Sequence, residues 1–310
     1  MKNKFFTREI CVCAHLTQTR YAQKACAEMR SIMIEILKAI LFGIVEGITE
    51  WLPISSTGHM IILDEFVKLD CTPEFKEMFL VVIQLGAILA VVLLFWNKIF
   101  PFQFKDKSKP VIEMDKIMLW CKIVVACIPA AVIGLLFDDV FEALFYHAFS
   151  VAIALIVFGV AFIVIERRNK GKKAKITRLE DITFQTALMI GVFQLIAAIF
   201  PGTSRSGATI VGALLIGVSR TVASEFTFFL AIPVMFGASL LKILKFGFAF
   251  SGMELAILAV GTLVAFIVSV VVIRFLMDYI KKHDFQVFGW YRIVLGVLVI
   301  ILSLCGVIQV

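Results

Sequence analysis

The sequence predicts an all-α, polytopic membrane protein built from two inverted-topology repeats, each a broken re-entrant helix pair followed by three transmembrane helices. The first observation is composition. Of the 310 residues, 61% are hydrophobic and 17% are charged, against about 45–50% and about 25% in soluble domains. The second is that apolar runs of roughly 18 residues or more recur, long enough to cross a bilayer as helices. The third is the order of the apolar runs along the chain. An interrupted run followed by three uninterrupted runs occurs twice.

Each half of the predicted fold begins with an apolar region that proline and glycine interrupt. The first region, Ile32–Val67, is broken at Pro53–Gly58, and the second, Ile182–Gly217, is broken at Pro201–Gly207. Proline lacks an amide proton and disfavours helix in the preceding residue, so we expect each helix to stop at the break and resume beyond it. The uninterrupted spans are predicted, in order, at Phe79–Trp96, Ile117–Phe137, Ala148–Ile165, Phe226–Leu244, Met253–Met277 and Gly289–Ile308.

The distribution of charge orients these spans. Lysine and arginine are concentrated in loops 97–116, which includes Lys105, Lys107 and Lys109, and 166–178, whereas the short loop around 138–142 has acidic residues and no basic ones. Cytoplasmic loops are rich in Lys and Arg, so both basic loops are predicted inside the cell and the acidic loop outside. Each interrupted region must then enter and leave on one side, the first from outside and the second from the cytoplasm.

This organisation divides one membrane domain into four segments. Residues 1–31 are predicted to be a disordered N-terminal extension, 32–165 the first inverted repeat, 166–181 a basic cytoplasmic linker and 182–310 the second inverted repeat. The extension contains no apolar core long enough for a secretory signal. An amphipathic basic surface segment is the alternative interpretation of it.

Charge and cysteine content argue against two other classes of protein. The formal net charge of +7 is concentrated in a few loops, where it indicates membrane orientation and not nucleic-acid binding. The seven cysteines contain no CxxC pair, and we interpret them as small apolar residues and not as disulfide or zinc sites.

An internal sequence repeat supports the two inverted halves. The segment GIVEGITEWLPISSTGH, from Gly43, aligns with GVFQLIAAIFPGTSRSG, from Gly191, at a shift of 148 residues (191 − 43). Paired broken helices in inverted repeats place a polar site near the bilayer midplane. The polar and proline positions that the shift superimposes are Glu46 on Gln194, Pro53 on Pro201 and Ser56 on Ser204.

The two breaks are predicted to form an anion site. A helix that resumes near Ser56 or near Ser204 presents unpaired backbone N–H groups and its positive dipole end. Arg205 adds a cation whose forked donors suit phosphate. Two such tips meeting from opposite faces of the membrane would form one phosphate pocket. The predicted phosphate-binding residues are Ser55, Thr57, Thr203, Ser204, Ser206 and Gly207.

Two carboxylates add a chemical function to this site. Glu46 and Glu50 lie four residues apart, on one helix face, and an ionisable group at membrane depth costs about 2.5–3.5 kcal/mol on insertion scales. The pair indicates a proton relay or a divalent-cation site shared with phosphate. Either Ser56 or His59 could be the nucleophile of phosphoryl transfer. The structural alternatives are that the carboxylates flank an interface, that Arg205 snorkels to a headgroup and that His59 is a hydrogen-bonded core residue.

Two segments carry a resemblance to a known family. EGITEWLPISSTGHM and PGTSRSGATI resemble the signature segments of the undecaprenyl-diphosphate phosphatase family, also called the bacitracin-resistance protein family. The resemblance covers the chain from about Met33 to the end. The residues that match the two motifs are Glu46, Glu50, Ser55, Ser56 and His59 in the first and Pro201, Gly202, Ser204, Arg205, Ser206 and Gly207 in the second.

The resemblance implies an activity, a location and partners. It implies hydrolysis of undecaprenyl diphosphate to the monophosphate at the outer side of the bacterial plasma membrane, which recycles the lipid carrier for peptidoglycan synthesis and confers bacitracin resistance. It also implies a divalent cation, Mg²⁺ or Ca²⁺, which Glu46 and Glu50 would hold. Expected partners are a polyprenyl diphosphate substrate and membrane lipids, with no nucleic acid, and a homodimer is left open. The expected catalytic residues are Glu46, Glu50, Ser56, His59 and Arg205.

Two other classes compete with this interpretation. A prenyl-phosphate lipid flippase or secondary transporter would share the inverted repeats and broken helices. The phosphatidic-acid type of membrane phosphatase is disfavoured, because the sequence contains no Arg-Pro dipeptide and no histidine shortly after Ser204-Arg205. Phosphate release by purified protein distinguishes a phosphatase from a transporter.

Overall fold

The computed structural model describes residues 3–104 and 110–308, without the side chains of residues 3–22, 24, 138, 139 and 142. In these ranges the chain is helical, with two isolated β-bridges, Phe102–Ile112 and Ile176–Val218, and no β-strand. The helices are α1 (Asn3–Thr49), α2 (Ser56–Phe66), α3 (Pro73–Val82), α4 (Gln84–Leu94), α5 (Trp96–Ile99), α6 (Met114–Phe145), α7 (Ala148–Asn169), α8 (Phe184–Ile199), α9 (Arg205–Leu215), α10 (Arg220–Phe246), α11 (Gly252–Tyr279) and α12 (Gln286–Leu304).

Six stretches of the described chain are long and apolar enough to cross a bilayer, which confirms the predicted all-α polytopic class. Their order also agrees with the prediction, since three follow each interrupted region. One of them, Pro73–Leu94, consists of α3 and α4, which meet at Ile83. The six are Pro73–Leu94, Met114–Phe137, Ala148–Asn169, Arg220–Phe246, Gly252–Tyr279 and Gln286–Leu304.

The two interrupted regions form helix–loop–helix pairs, as predicted. In the first, α1 ends at Thr49 and α2 begins at Ser56; in the second, α8 ends at Ile199 and α9 begins at Arg205. Both α2 and α9 have 11 residues, so each is about 16 Å long and reaches only part of the way through a hydrocarbon core of about 30 Å. We call loops 50–55 and 200–204, with the first turns of α2 and α9, the first tip and the second tip.

The two halves of the chain interlock through these pairs. Helix α1 packs along α11, and α8 packs along α6, so each interrupted region lies against a span of the other half. Glycine permits the close approach on both sides. A Cβ added to Gly43 would lie 2.6 Å from the Gly261 carbonyl oxygen, and one added to Gly191 would lie 2.3 Å from that of Ala126. An inverted repeat would produce such an exchange, and the inversion itself stays a prediction.

The charged segments from which the orientation was predicted agree only in part with the structure. The prediction that residues 138–142 form a loop is wrong, because α6 continues to Phe145 and includes these residues in its last turns. Lys122 Nζ donates to the Glu180 carbonyl oxygen (3.1 Å), which brings the basic segments before α6 and before α8 to the same end of the helices. Lys105, Lys107 and Lys109 lie outside the described residues, as do the ends of the predicted segments at residues 1–2 and 309–310.

The N-terminal extension is helical in its backbone, because α1 begins at Asn3. The predicted disorder of residues 1–31 and the boundaries of the four predicted segments stay predictions. The five cysteines whose side chains are described, Cys26, Cys71, Cys121, Cys127 and Cys305, are free thiols.

Candidate active site

The backbone of both tips is strained at one serine. Among the described non-glycine residues, only Ser55 (φ 75°) and Ser204 (φ 69°) have positive φ. Each serine is the N-cap of its re-entrant helix: Ser55 Oγ accepts from the Gly58 N–H (3.4 Å), and Ser204 Oγ accepts from the Gly207 N–H (3.2 Å). Such strain in non-glycine residues is uncommon and clusters at functional sites.

The shared cap corrects the predicted alignment of the tips. Ser55 is the structural equivalent of Ser204, a shift of 149 residues (204 − 55), so the predicted pairing of Ser56 with Ser204 is wrong by one residue. The reason is local. One residue separates Pro53 from its cap, whereas two residues separate Pro201 from its cap. Ser56 therefore corresponds to Arg205, the first residue of α9.

The side chain of Glu50 joins the two tips. Its Oε2 accepts a hydrogen bond from Ser56 Oγ (3.0 Å), and its Oε1 accepts one from Arg205 Nη2 (2.9 Å). Its main-chain carbonyl accepts from Ser206 Oγ (3.2 Å). Glu50 is buried, so this ion pair is screened far less than a surface pair. The structure thus brings Ser56 and Arg205, predicted to share one site, to the same carboxylate.

Helix α10 also holds the side chain of Arg205. Its Nη1 donates to the Thr227 carbonyl oxygen (3.0 Å), and the Thr227 hydroxyl donates to Thr209 Oγ1 (2.9 Å) in α9. Its Nε is buried and has no hydrogen-bond partner among the described residues. The guanidinium therefore has a fixed orientation, and its buried Nε–H donor is unused among the described residues.

Two polar side chains beside Arg205 also have unused hydrogen-bonding capacity. Glu46 is 1% exposed and interacts electrostatically with Glu50 and Arg205, and its Oε1 has no partner in the described part of the chain. Gln194 is 2% exposed, and neither atom of its amide has a described partner. Buried polar groups are normally paired, so these atoms indicate a ligand. Gln194 was absent from the predicted site, although the repeat had placed it opposite Glu46.

His59 is held away from the carboxylates. Its Nδ1 lies 2.7 Å from the Ser55 carbonyl oxygen, which can only accept, so Nδ1 carries the proton. Its Nε2 lies 2.7 Å from the Tyr291 hydroxyl and accepts from it. The two rings are stacked, with centroids 5.6 Å apart. Both nitrogens are thus occupied, and no described hydrogen bond joins His59 to Glu50, unlike Ser56. Tyr291 was not predicted from the sequence.

The remaining predicted phosphate-binding residues fall into two groups. Ser55, Ser204 and the Gly207 N–H are used in capping, so they shape the tips and have less capacity left for an anion. Ser206 bonds to the first tip. Thr57 is half-buried in the first turn of α2, and the Thr203 hydroxyl is buried without a partner among the described residues.

A fully buried arginine that the sequence analysis did not select lies behind both tips. Arg292, in α12, donates from Nη2 to the carbonyl oxygens of Gly202 (3.0 Å) and Thr203 (2.7 Å) and from Nη1 to that of Pro53 (3.3 Å). The sequence did contain a signal for this residue, since an arginine inside an apolar span is by default a candidate for function.

A cavity of about 670 Å³ opens beside Arg205, between α6, α8 and α10. Arg205 and Gln194 lie at one end of it, and Lys242 and Lys245 lie along the part of its wall near the end of α10. The walls between are mostly apolar, with Leu135 among them. The shape suits a molecule with an anionic head and a long apolar tail.

The carboxylate pair fits a metal ion only in part. The described residues contain no cluster of three or more His, Cys, Asp or Glu side chains that could hold one. Both oxygens of Glu50 are engaged by Ser56 and Arg205, which leaves the free Oε1 of Glu46. Mg²⁺ is commonly bound by one or two carboxylates together with substrate phosphates. The pair therefore fits a cation whose remaining ligands come from a phosphorylated substrate.

Comparisons with known proteins agree with the motifs. The model of the family described as bacitracin resistance protein BacA matches residues 39–298. The chain is similar to the undecaprenyl-diphosphatase of Desulfitobacterium hafniense, with 69% identity over 87% of this chain and 96% of that protein. It is also similar to the undecaprenyl-diphosphatase of Enterococcus faecalis (64%, over 87% and 98%) and to undecaprenyl-diphosphatase 1 of Clostridium acetobutylicum (63%, over 86% and 97%).

Proposed function

Because the chain belongs to the bacitracin-resistance protein BacA family, we propose that it hydrolyses undecaprenyl diphosphate to undecaprenyl phosphate and inorganic phosphate. This reaction recycles the lipid carrier of peptidoglycan synthesis and protects against bacitracin. The observation that carries the proposal is the position of Glu50, whose carboxylate holds Ser56 of one tip and Arg205 of the other. A base, a hydroxyl nucleophile and a phosphate-binding cation are thereby assembled at one buried point.

The cavity supports a prenyl diphosphate as the substrate. Its apolar walls suit the isoprenoid tail, and the donors of Arg205 and Gln194 at the inner end suit the diphosphate. Arginine binds phosphate through two parallel hydrogen bonds, for which Arg205 has its unpaired Nε available. Lys245 would attract the polyanionic head before it enters, whereas the charge of Lys242 is already paired with Glu77.

The first chemical step follows from the hydrogen bond between Ser56 and Glu50. The terminal phosphate of the substrate competes with Glu50 for Arg205, which frees the carboxylate to act as a base. Ser56 Oγ attacks the terminal phosphorus, its proton passes to Glu50 Oε2, and the bond from that phosphorus to the bridging oxygen breaks. Undecaprenyl phosphate leaves with the bridging oxygen and takes the proton from Glu50, while the phosphoryl group remains on Ser56.

The second step regenerates the protein. Water attacks the phosphorus on Ser56, and Glu50 accepts a proton from it. The bond between phosphorus and Ser56 Oγ breaks, inorganic phosphate is released, and Glu50 returns the proton to Ser56 Oγ. Arg205 stabilises the charge on the transferring phosphoryl group in both steps, as fixed cations do in other phosphoryl transfers.

Glu46 is proposed to hold a divalent cation together with the phosphates. When bound, Mg²⁺ or Ca²⁺ supplies positive charge that neutralises the phosphoryl oxygens. The free Oε1 of Glu46 supports this role. Removal of divalent cations with EDTA should slow phosphate release, and restoration by Mg²⁺ should be lost in the Glu46→Gln variant.

We place the protein in the plasma membrane of a bacterium, with the cavity mouth on the outer side. The basic segment 166–178 runs from the end of α7 and lies near the start of α10, where the Ser219 N–H donates to the Ile176 carbonyl oxygen. Lys242 and Lys245 lie near the other end of α10. If that basic loop is cytoplasmic, as its charge predicts, the mouth faces outward. Labelling a single cysteine at position 245 in intact cells with a membrane-impermeant maleimide tests this orientation, and labelling only after permeabilisation would contradict it. The homodimer stays a prediction, which the mass of the purified protein in detergent tests.

The test of the activity is phosphate release by the purified protein in detergent with a prenyl diphosphate. The phosphatase releases inorganic phosphate. Transport of prenyl phosphates across vesicles without phosphate release would overturn the proposal in favour of the flippase.

The test of the nucleophile is acid-quenched trapping with substrate labelled in the terminal phosphate. Acid-stable phosphoserine at Ser56 is expected, and it should be absent from the Ser56→Ala variant. Acid-labile phosphohistidine at His59, found after an alkaline quench, would overturn the assignment. The Ser239→Ala variant is a matched control, since Ser239 bonds to the Val81 carbonyl oxygen away from the tips.

A further inference from the structure

The arginine behind the tips has an unusual environment for a buried charge. Arg292 is 0% exposed and forms no ion pair among the described residues. Its hydrogen-bond partners are four main-chain carbonyls, those of Pro53, Gly202 and Thr203 and, at 3.4 Å, that of Leu155 in α7. The guanidinium carbon also lies 5.9 Å from the centroid of the Phe158 ring. A buried cation without an anionic partner is costly, so its retention there requires an explanation.

We propose that Arg292 is the positioning residue of the active site, which clamps the two tips in the register that catalysis needs and adds positive charge behind the bound diphosphate. This inference rests on the proposed phosphatase function. Arg292 has no assigned contact with the substrate and acts through the loops that it holds.

The first argument comes from the bonds that link the tips. The direct polar links described between them all involve Glu50, through Arg205 and through Ser206. The link to Arg205 is the one that the substrate must break, because phosphate and Glu50 compete for the same guanidinium. Arg292 reaches both tips through carbonyl oxygens that have no part in the chemistry. It therefore keeps Ser56 facing Arg205 while the Glu50–Arg205 pair is open.

The second argument comes from charge. A Cβ added to Gly207 would lie 2.9 Å from Arg292 Nη1, so the guanidinium sits against the first turn of α9. A cation near a helix N-terminus is repelled by the positive end of the helix dipole. Among the described titratable side chains, His59 interacts with it electrostatically, and both nitrogens of His59 are engaged as in a neutral ring. A bound polyanion removes this repulsion, so the charge of Arg292 favours the substrate-bound state.

The experiment compares Arg292→Lys and Arg292→Met with Arg274→Met, a matched control at an exposed arginine of α11. Lysine keeps the charge but cannot reach carbonyls in both tips, so kcat per folded molecule should fall about 100-fold, as small misplacements of reacting groups do, while KM changes by less than about threefold. Methionine also removes the charge, so KM should rise by about tenfold in addition. The control should retain turnover within about twofold.

Gly207→Ala displaces the guanidinium without removing it, which covers the case in which the Arg292 variants do not fold. Its Cβ would press on Arg292 Nη1 and would also lie 3.2 Å from Ser204 Cβ, so kcat per folded molecule should fall about tenfold or more. The matched control is Gly58→Ala in the first tip, whose Cβ would have the flexible side chain of Leu155 as its nearest neighbour, at 3.1 Å. Its turnover should stay within about threefold of the original.

Each outcome decides the inference. An Arg292→Lys variant with undiminished kcat per folded molecule would show that Arg292 only stabilises the fold, and an increase in KM at constant kcat would make it a substrate contact. Full activity of Gly207→Ala would likewise overturn the clamp. A wild-type protein that releases no phosphate would overturn the proposed function and this inference together, whereas an active wild type with unimpaired variants overturns this inference alone.

Discussion

The first and second tips have the same backbone geometry at the cap and opposite chemistry. Both loops end at a serine with positive φ that caps an 11-residue helix. The first tip carries the carboxylate of Glu50 and the hydroxyl of Ser56, whereas the second places Arg205 at the position equivalent to Ser56. The comparison teaches that the repeat supplies a strained helix start in each half, and that the chemistry is divided between the two copies. Neither tip alone has both a base and a cation.

The helices that lead into the two tips, α1 and α8, show the same division of chemistry. Glu46 on α1 and Gln194 on α8 are aligned by the repeat, are both buried, and each has side-chain atoms without a described partner. One is charged and the other is neutral. A second carboxylate at position 194 would face the diphosphate in the cavity and repel it, so the amide is the form that this side of the site can use.

The largest expected effect comes from breaking the link between the tips at Glu50. Glu50→Gln removes the proposed base and the charge that holds Arg205, so kcat for phosphate release should fall by about 10⁴-fold, the upper range for a general base. Glu74→Gln, at an exposed carboxylate of α3, is the matched control and should be unaffected. Turnover of Glu50→Gln within about tenfold of the original would remove Glu50 from the chemistry.

A change at the second tip should cost somewhat less. Arg205→Lys keeps the charge but loses the fork that binds phosphate at two points, so kcat should fall by about 10²–10³-fold. The double variant with Glu50→Gln sharpens the comparison. Since the two residues are in contact, the double variant should lose much less than the product of the two single effects. Strict multiplication of the effects would mean that the tips act independently.

The third prediction concerns the aligned pair before the tips. Gln194→Leu removes one hydrogen bond to a charged phosphate, so KM should rise by about tenfold with a smaller change in kcat. Gln194→Glu should raise KM further, because the new carboxylate repels the diphosphate, and added salt should reduce the difference between the two variants. Equal KM values for the original protein and the leucine variant would place the amide outside the phosphate site.

The smallest effects are expected from the two caps, where the tips are most alike. Ser55→Ala and Ser204→Ala should each lower the free energy of unfolding by about 1 kcal/mol, because the cap is lost and the strain remains. Glycine at either position should cost only a few tenths of a kcal/mol, because it also relieves the positive φ. Thermal unfolding in detergent measures both. A clear difference between equivalent variants of the two tips would contradict the claim that the two caps are equivalent.

Much of the fold and part of the site were predictable, because the signals are local. Apolar runs located all six spans, and proline with serine marked where α2 and α9 begin, at Ser56 and Arg205. The alignment failed by one residue because the spacing between proline and cap differs between the tips, which an ungapped shift cannot show. His59 shares a helix with Ser56 but bonds to Tyr291 of α12, a partner 232 residues away in sequence.

The sequence by itself determined that this protein lies in a membrane, that two of its apolar regions are broken helices and that carboxylate, hydroxyl and guanidinium groups occur at the breaks. Hydropathy and the backbone restrictions of proline are properties of a residue and its neighbours, which is why these conclusions needed no coordinates. Only the tertiary structure decided which groups meet: Glu50 with Arg205 across 155 residues, and Arg292 with Pro53 across 239. Such meetings depend on how helices from both halves pack, and close contacts such as that of Gly43 with Gly261 set that packing.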